Sequence, residues 1–93
     1  MNPKQRQEQL SQDLRNIMAS AGGRRWLWSL LNSAGLYAPV FNHSGSVTAY
    51  NSGRQSVAQE VAAHMASVSP DDWVRVQAEA ANLKLTTVAE QEQ

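Results

Sequence analysis

Leu10, Leu14, Ile17, Met18 and Ala21 recur at offsets of 0, 4, 7, 8 and 11, with Gln, Glu, Asp and Arg between them. That spacing is one face of a 3.6-residue helix and predicts a helix over about residues 4–19. Leu27, Leu30, Leu31 and Ala34 form a second stripe, flanked by Trp26 and Trp28, and predict a helix over about 21–34. Val57, Val61, Met65 and Val68 give a third face over about 52–67, with Ala58, Ala62 and Ala66 as a small-residue flank. Trp73, Val76, Gln77, Ala80 and Ala81 share a sparser face over about 70–84. The reading is all-α: a small bundle of about four helices in a single domain spanning residues 1–93.

Boundary residues sharpen these elements. Ser20 is placed to cap the second helix, because its hydroxyl can accept an orphan amide proton. Gly35 suits the position after that helix, where positive φ costs glycine nothing. Gly22 and Gly23 weaken its first turn. Arg24 and Arg25 lie near the positive end of its dipole, which costs up to about 1 kcal/mol. Ser69-Pro70-Asp71-Asp72 is the strongest helix start in the chain: a cap, a proline at the first helical position, and two acids at the dipole's positive end.

Residues 35–53 read as a long aromatic loop. Pro39 disfavours helix before it, and Asn42 to Ser46 is a turn cluster. Leu36, Tyr37, Val40, Phe41, Val47 and Tyr50 are too apolar for a free linker, so the loop is expected to be ordered, with Phe41 and Tyr50 pinned to the helices. Val40–Phe41 against Val47–Thr48 is a weak candidate for a two-stranded ribbon. Asn51 or Ser52 would then cap the third helix. The core is expected within about residues 8–83. The polar ends, 1–7 and 86–93, carry no pattern that requires order.

Composition narrows the chemistry. The chain has 93 residues, no cysteine and a formal net charge of +0. The absence of cysteine excludes disulfides, thiolate metal sites and a thiol nucleophile. No stretch is long and apolar enough to span a bilayer, and no apolar run of the signal kind follows the polar N-terminus, so the chain reads as soluble and unexported. The zero sum hides a polarity. Residues 16–59 carry Arg24, Arg25 and Arg54 and no acid, whereas residues 60–93 carry Glu60, Asp71, Asp72, Glu79, Glu90 and Glu92 against Arg75 and Lys84.

No catalytic constellation emerges. His43 and His64 lie on different elements, and a metal needs three or four convergent ligands. Ser44, Ser46 and Ser52 have no nucleophile-elbow frame. Adjacent Asp71 and Asp72 do not face one another on a helix. No cofactor or metal is expected. The constellation that stands out is Gly23-Arg24-Arg25 and Gly53-Arg54, both at predicted helix starts, where free amides and guanidinium forks suit a phosphate or carboxylate. The internal alternative pairs Arg24 or Arg25 with Asp13, or Arg54 with Glu60. Trp26 and Trp28 cannot easily both be buried beside Leu27, Leu30 and Leu31. A partly exposed Trp beside Arg has the composition of an interface hot spot, which adds Trp28 to the candidate partner-binding residues.

The run Ile17-Met18-Ala19-Ser20-Ala21-Gly22-Gly23-Arg24-Arg25-Trp26-Leu27-Trp28-Ser29-Leu30-Leu31 is followed by Gly35, Tyr37 and Phe41, and then by Ala49-Tyr50-Asn51-Ser52-Gly53-Arg54-Gln55-Ser56-Val57-Ala58. Together these resemble a family of small tailed-bacteriophage proteins typed by a protein of a Bordetella phage. The likeness covers about residues 13–75. Ala34 stands where many members carry another residue type. The resemblance implies an origin in a phage or prophage among head and packaging genes, synthesis in the host bacterial cytoplasm, and no enzyme activity. The expected role is a non-enzymatic virion or morphogenesis protein, an adaptor or accessory of the head, portal or ejection apparatus. Its partners would be other phage structural proteins and copies of itself, as a homo-oligomer or ring in which a basic patch meets a neighbour's acidic end. The alternative is a small regulatory or DNA-packaging factor that binds nucleic acid or a host protein. Zero net charge disfavours nucleic acid.

Overall fold

The structure is a computed structural model that describes the backbone of residues 1–91 and the side chains of residues 1–82. Four helices follow one another: α1 (Pro3–Met18), α2 (Ala21–Ser33), α3 (Gly45–Val68) and α4 (Pro70–Gln91). There is no strand among the described residues. The all-α reading holds.

Local chemistry sets most boundaries. Asn2 and Gln5 form a reciprocal capping box at the start of α1. Ser20 caps α2 by accepting the Gly23 amide at 3.0 Å. The end of α2 is a Schellman motif. Gly35 takes φ +77, the Leu36 amide donates to Leu31 O, and the Gly35 amide donates to Asn32 O. Leu36 and Leu31 are both buried, which supplies the motif's apolar contact. The caps expected at Ser20 and Gly35 are therefore present, and α4 starts at Pro70 as expected, with the Ser69 hydroxyl donating to Asp72 Oδ2 at 2.9 Å.

The long loop is shorter than the pattern predicts. Helix α3 starts at Gly45, about two turns before Asn51, and Ser44 is its cap. The Thr48 hydroxyl donates to Asn42 O and Ser44 O and accepts from the Asn42 amide, which closes the first turn. Val47, Thr48 and Tyr50 disfavour helix by only a few tenths of a kcal/mol each, so one good cap and a tied first turn outweigh them. The expected ribbon is absent because its second arm is helix. Phe41 and Tyr50 are not pinned to the helices: they are 77% and 64% exposed.

The core is Met18, Leu27, Leu31, Leu36, Ala58, Ala62, Met65 and Val76, with Leu14, Trp28, Ala34, Val61 and Trp73 packed around it. The buried side of α3 is rotated from expectation. Ala58 and Ala62 face inward, while Val57 faces out. Alanines let α3 approach its neighbours closely, and the longer valines fall at the rim. Gly23 has the same role in α2. A Cβ there would lie 1.8 Å from the Ile17 carbonyl oxygen, so α2 can meet the end of α1 only at a glycine.

Helix α4 runs through Gln91, beyond the predicted end near residue 84. The polar residues 86–91 continue that helix, and residues 92 and 93 lie outside the described residues. On α4 the described inward positions run from Asp72 to Ala80. The molecule is thin, with principal extents of 50 × 39 × 16 Å. Its radius of gyration, 15.8 Å, exceeds the ~12 Å of a compact chain this long.

Candidate functional site

Three helix C-termini are each met by an arginine. Unpaired carbonyls there carry the negative end of the helix dipole. Arg24 Nη1 donates to Met18 O at the end of α1, at 2.9 Å. Arg15 Nε donates to Val68 O at the end of α3, at 3.3 Å. Arg54 Nη2 donates to Ser33 O at the end of α2. The same Arg54 guanidinium lies 5.4 Å from the Tyr50 ring centroid.

This pattern accounts for Arg24 at the α2 start. Arg24 turns back onto the negative end of α1 and forms an ion pair with Glu79 of α4, Nη2 to Oε1 at 2.9 Å. Its Nε lies 3.1 and 3.2 Å from the two Glu79 carboxylate oxygens. The hydrogen bond to Glu79 raises the Arg24 pKa above its ordinary value, and partial burial acts the other way. The acid that answers Arg24 is thus neither Asp13 nor an outside ligand but a residue 55 positions along the chain. Arg25 faces solvent, and no ion pair or hydrogen bond holds it among the described residues.

Gly23 and Arg54 are also placed by internal contacts. The Gly23 amide is taken by Ser20. Gly53 and Arg54 lie in the middle of α3, so their amides are inside the helix and offer no anion cradle. This corrects the expectation of a second Gly-Arg helix start. The cause is the earlier cap at Ser44.

Next to Arg54, two side chains organise the loop: Gln55, which the sequence did not single out, and Asn51, which it offered only as a helix cap. Gln55 Nε2 reaches three loop carbonyls: Gly35 O at 2.9 Å, Leu36 O at 3.3 Å and Ala38 O at 2.9 Å. Asn51 Nδ2 donates to Val40 O at 3.3 Å. Asn51, Arg54 and Gln55 recur at helical spacing on one side of α3, the only signal in the sequence that they act together.

The tryptophans divide. Trp28 packs on the core edge toward α4, with its ring centroid 6.2 Å from that of Tyr37. Trp26 is 62% exposed. Two positions along a helix is a rotation of about 200°, so the two rings cannot share a side. The candidate Trp28 is a packing residue, and Trp26 is the tryptophan open to solvent. Leu30, one turn on, is exposed with it, as is Val57 on α3.

Between α1 and α3 lies an open groove of about 440 Å³, lined among others by Leu10, Leu14, His64 and Val68. No group of three or more His, Asp or Glu among the described residues is arranged to hold a metal ion. No helix among the described residues is long and apolar enough to cross a membrane.

Residues 14–77 match the family described as Bbp19-like phage protein. The chain belongs to that family. Every buried core residue among the described residues, from Met18 to Val76, falls inside the matched segment, as do Arg15, Arg24, Arg54 and the loop with its Gln55 clamp. The family's shared stretch therefore contains the described core. No curated protein and no solved structure matches the chain.

Proposed function

We propose that this Bbp19-like phage protein is a non-enzymatic part of the virion or of its assembly. In this reading it is an adaptor or accessory of the head, portal or ejection apparatus, and it works by binding other phage structural proteins and copies of itself.

The observation that carries the reading is uncovered surface. The chain exposes 6774 Å². A compact protein of its 10.2 kDa mass would expose roughly 5,300 Å². The excess, roughly 1,500 Å², approaches the ~800 Å² per face that a copy buries against each of two neighbours in a ring. Large apolar side chains stand on that surface, among them Leu10, Trp26, Phe41, Tyr50, Val57 and Val74. Arg24 and Arg54 are engaged within the fold, which removes two of the three cations that a nucleic-acid reading needs.

Mass spectrometry of purified particles of the encoding phage tests this. Several copies per particle are expected. Absence from particles, together with a protein that stays monomeric at high concentration, overturns the reading.

A further inference from the structure

Pro3, Leu10 and Ile17 follow one another at intervals of seven residues, so they lie along one side of α1. All three are exposed, Leu10 at 61% and Ile17 at 43%. Leu14 and Met18, on the neighbouring side, hold α1 to the core. The exposed row opens onto the groove of about 440 Å³ whose walls include Leu10 and Leu14 on α1 and His64 and Val68 on α3.

Two charged residues edge the row on the side away from Leu14. Arg6 and Asp13 are also seven residues apart, and both are exposed. No ion pair or hydrogen bond holds the Arg6 guanidinium among the described residues. Asp13 accepts from the neutral side-chain amide of Gln9 at 2.9 Å and meets no cation among the described residues. The other charges of α1, Lys4, Glu8 and Arg15, line a different surface of the helix. On the α3 side, Glu60 stands one turn before His64, so the groove is not edged by one sign of charge.

The row is its own complement when two copies of α1 lie antiparallel. The register that sets Leu10 against Leu10 of the second copy also sets Pro3 against Ile17, and Ile17 against Pro3. In that register Arg6 is within one residue, ~1.5 Å along the axis, of the level of Asp13 of the second copy. The two also share an edge, because a two-fold axis across antiparallel helices keeps each edge on its own side. A parallel pairing sets Arg6 against Arg6 and Asp13 against Asp13, and like charges work against it.

We infer that the exposed side of α1 is a two-fold contact between copies of this chain, with the two helices antiparallel about Leu10. Pro3, Leu10 and Ile17 of each copy cover those of the other, and Arg6 of each meets Asp13 of the other. The contact closes at two copies and uses neither Trp26 nor Phe41. The inference rests on the proposed self-assembly and names its surface.

Exchange of charge tests the pairing. Arg6→Glu makes both pairs acid against acid, and Asp13→Lys makes both base against base. Wild-type protein is expected to dimerise in analytical ultracentrifugation, and each variant alone to do so about tenfold more weakly. One copy of each variant restores two matched pairs. Native mass spectrometry of an equimolar mixture is therefore expected to show heterodimer above its statistical share. Leu10→Glu sets two carboxylates against one another at the two-fold axis and is expected to weaken dimerisation at least ~30-fold. All three sites are exposed, so circular dichroism should show wild-type helicity for each variant.

A mixture that stays at the statistical share, with charge variants as tight as wild type, overturns the antiparallel register. Undiminished dimerisation of Leu10→Glu overturns the surface. In both cases copies found in particles keep the proposed function. Wild-type protein that is monomeric at every concentration overturns the self-docking itself.

Discussion

Gly22 and Gly23 are neighbours with opposite constraints. A Cβ at Gly22 meets only the Arg25 Nη2 at 3.8 Å, whereas one at Gly23 would collide with the Ile17 carbonyl. Gly22→Ala should therefore stabilise the protein by about 0.5–1 kcal/mol through helix propensity. Gly23→Ala should cost about 3 kcal/mol or more, because α1 and α2 must separate. Urea denaturation of both variants checks the contrast, and equal effects would contradict the close approach. Gln55 offers a second residue-level test. In Gln55→Glu the amide donor is lost and a carboxylate faces three carbonyls, so a loss of about 1–3 kcal/mol is expected, with faster hydrogen exchange in residues 35–40. The Arg24–Glu79 pair should show coupling in a double-mutant cycle. Arg24→Ala and Glu79→Ala together should destabilise less than the sum of the two separately. With the Glu79 carboxylate ionised, the raised Arg24 pKa means that the arginine's share of this stability fades only in strongly alkaline solution, as pH rises past the unfolded arginine value.

At the scale of the element, α3 presents alanine inward and valine outward along its middle. Ala58→Leu should overpack the contact and cost about 1–3 kcal/mol. Val57→Ser, one residue away, should change the stability of the isolated chain by no more than about 0.5 kcal/mol. Thermal melts of dilute protein distinguish this register from the one a valine-inward helix would require, in which the order of the two effects is reversed. The loop between α2 and α3 belongs to the same element-level scheme. Its carbonyls are held by Asn51 and Gln55, with Arg54 on the last carbonyl of α2, while Phe41 is left outside. Rigid backbone with exposed aromatics suits a contact surface, since little entropy is lost when a partner covers it.

For the whole molecule, thinness governs. A layer 16 Å deep cannot shield both sides of its helices, so stability and assembly should be linked. If copies dock, the folded state is stabilised by mass action, and the melting temperature should rise with protein concentration. A melting temperature independent of concentration, measured by calorimetry from dilute to concentrated protein, would argue against association.

The elements themselves were largely written in local sequence. Leu27, Leu30, Leu31 and Ala34 mark α2. Ser20 and Gly35 set its ends, and Ser69-Pro70 separates α3 from α4. Helical periodicity and capping depend on neighbours a few residues away, which a sequence displays directly. The family signature was legible for the same reason, as two short runs with Gly-Arg at fixed places. The start of α3 is hidden in the sequence because β-branched and aromatic residues near Val47 and Tyr50 resemble a loop, while the Ser44 cap and the Thr48 hydrogen bonds are matters of geometry. What only the tertiary structure decided was which face of each helix turned inward and what each charge met. Arg24 with Glu79, Arg15 with Val68 O and Gln55 with the loop carbonyls span from 17 to 55 residues of chain. Partners that far apart are chosen by how the helices cross, and no local pattern encodes the crossing. The same packing put Trp28 at the core edge and left Trp26 outside.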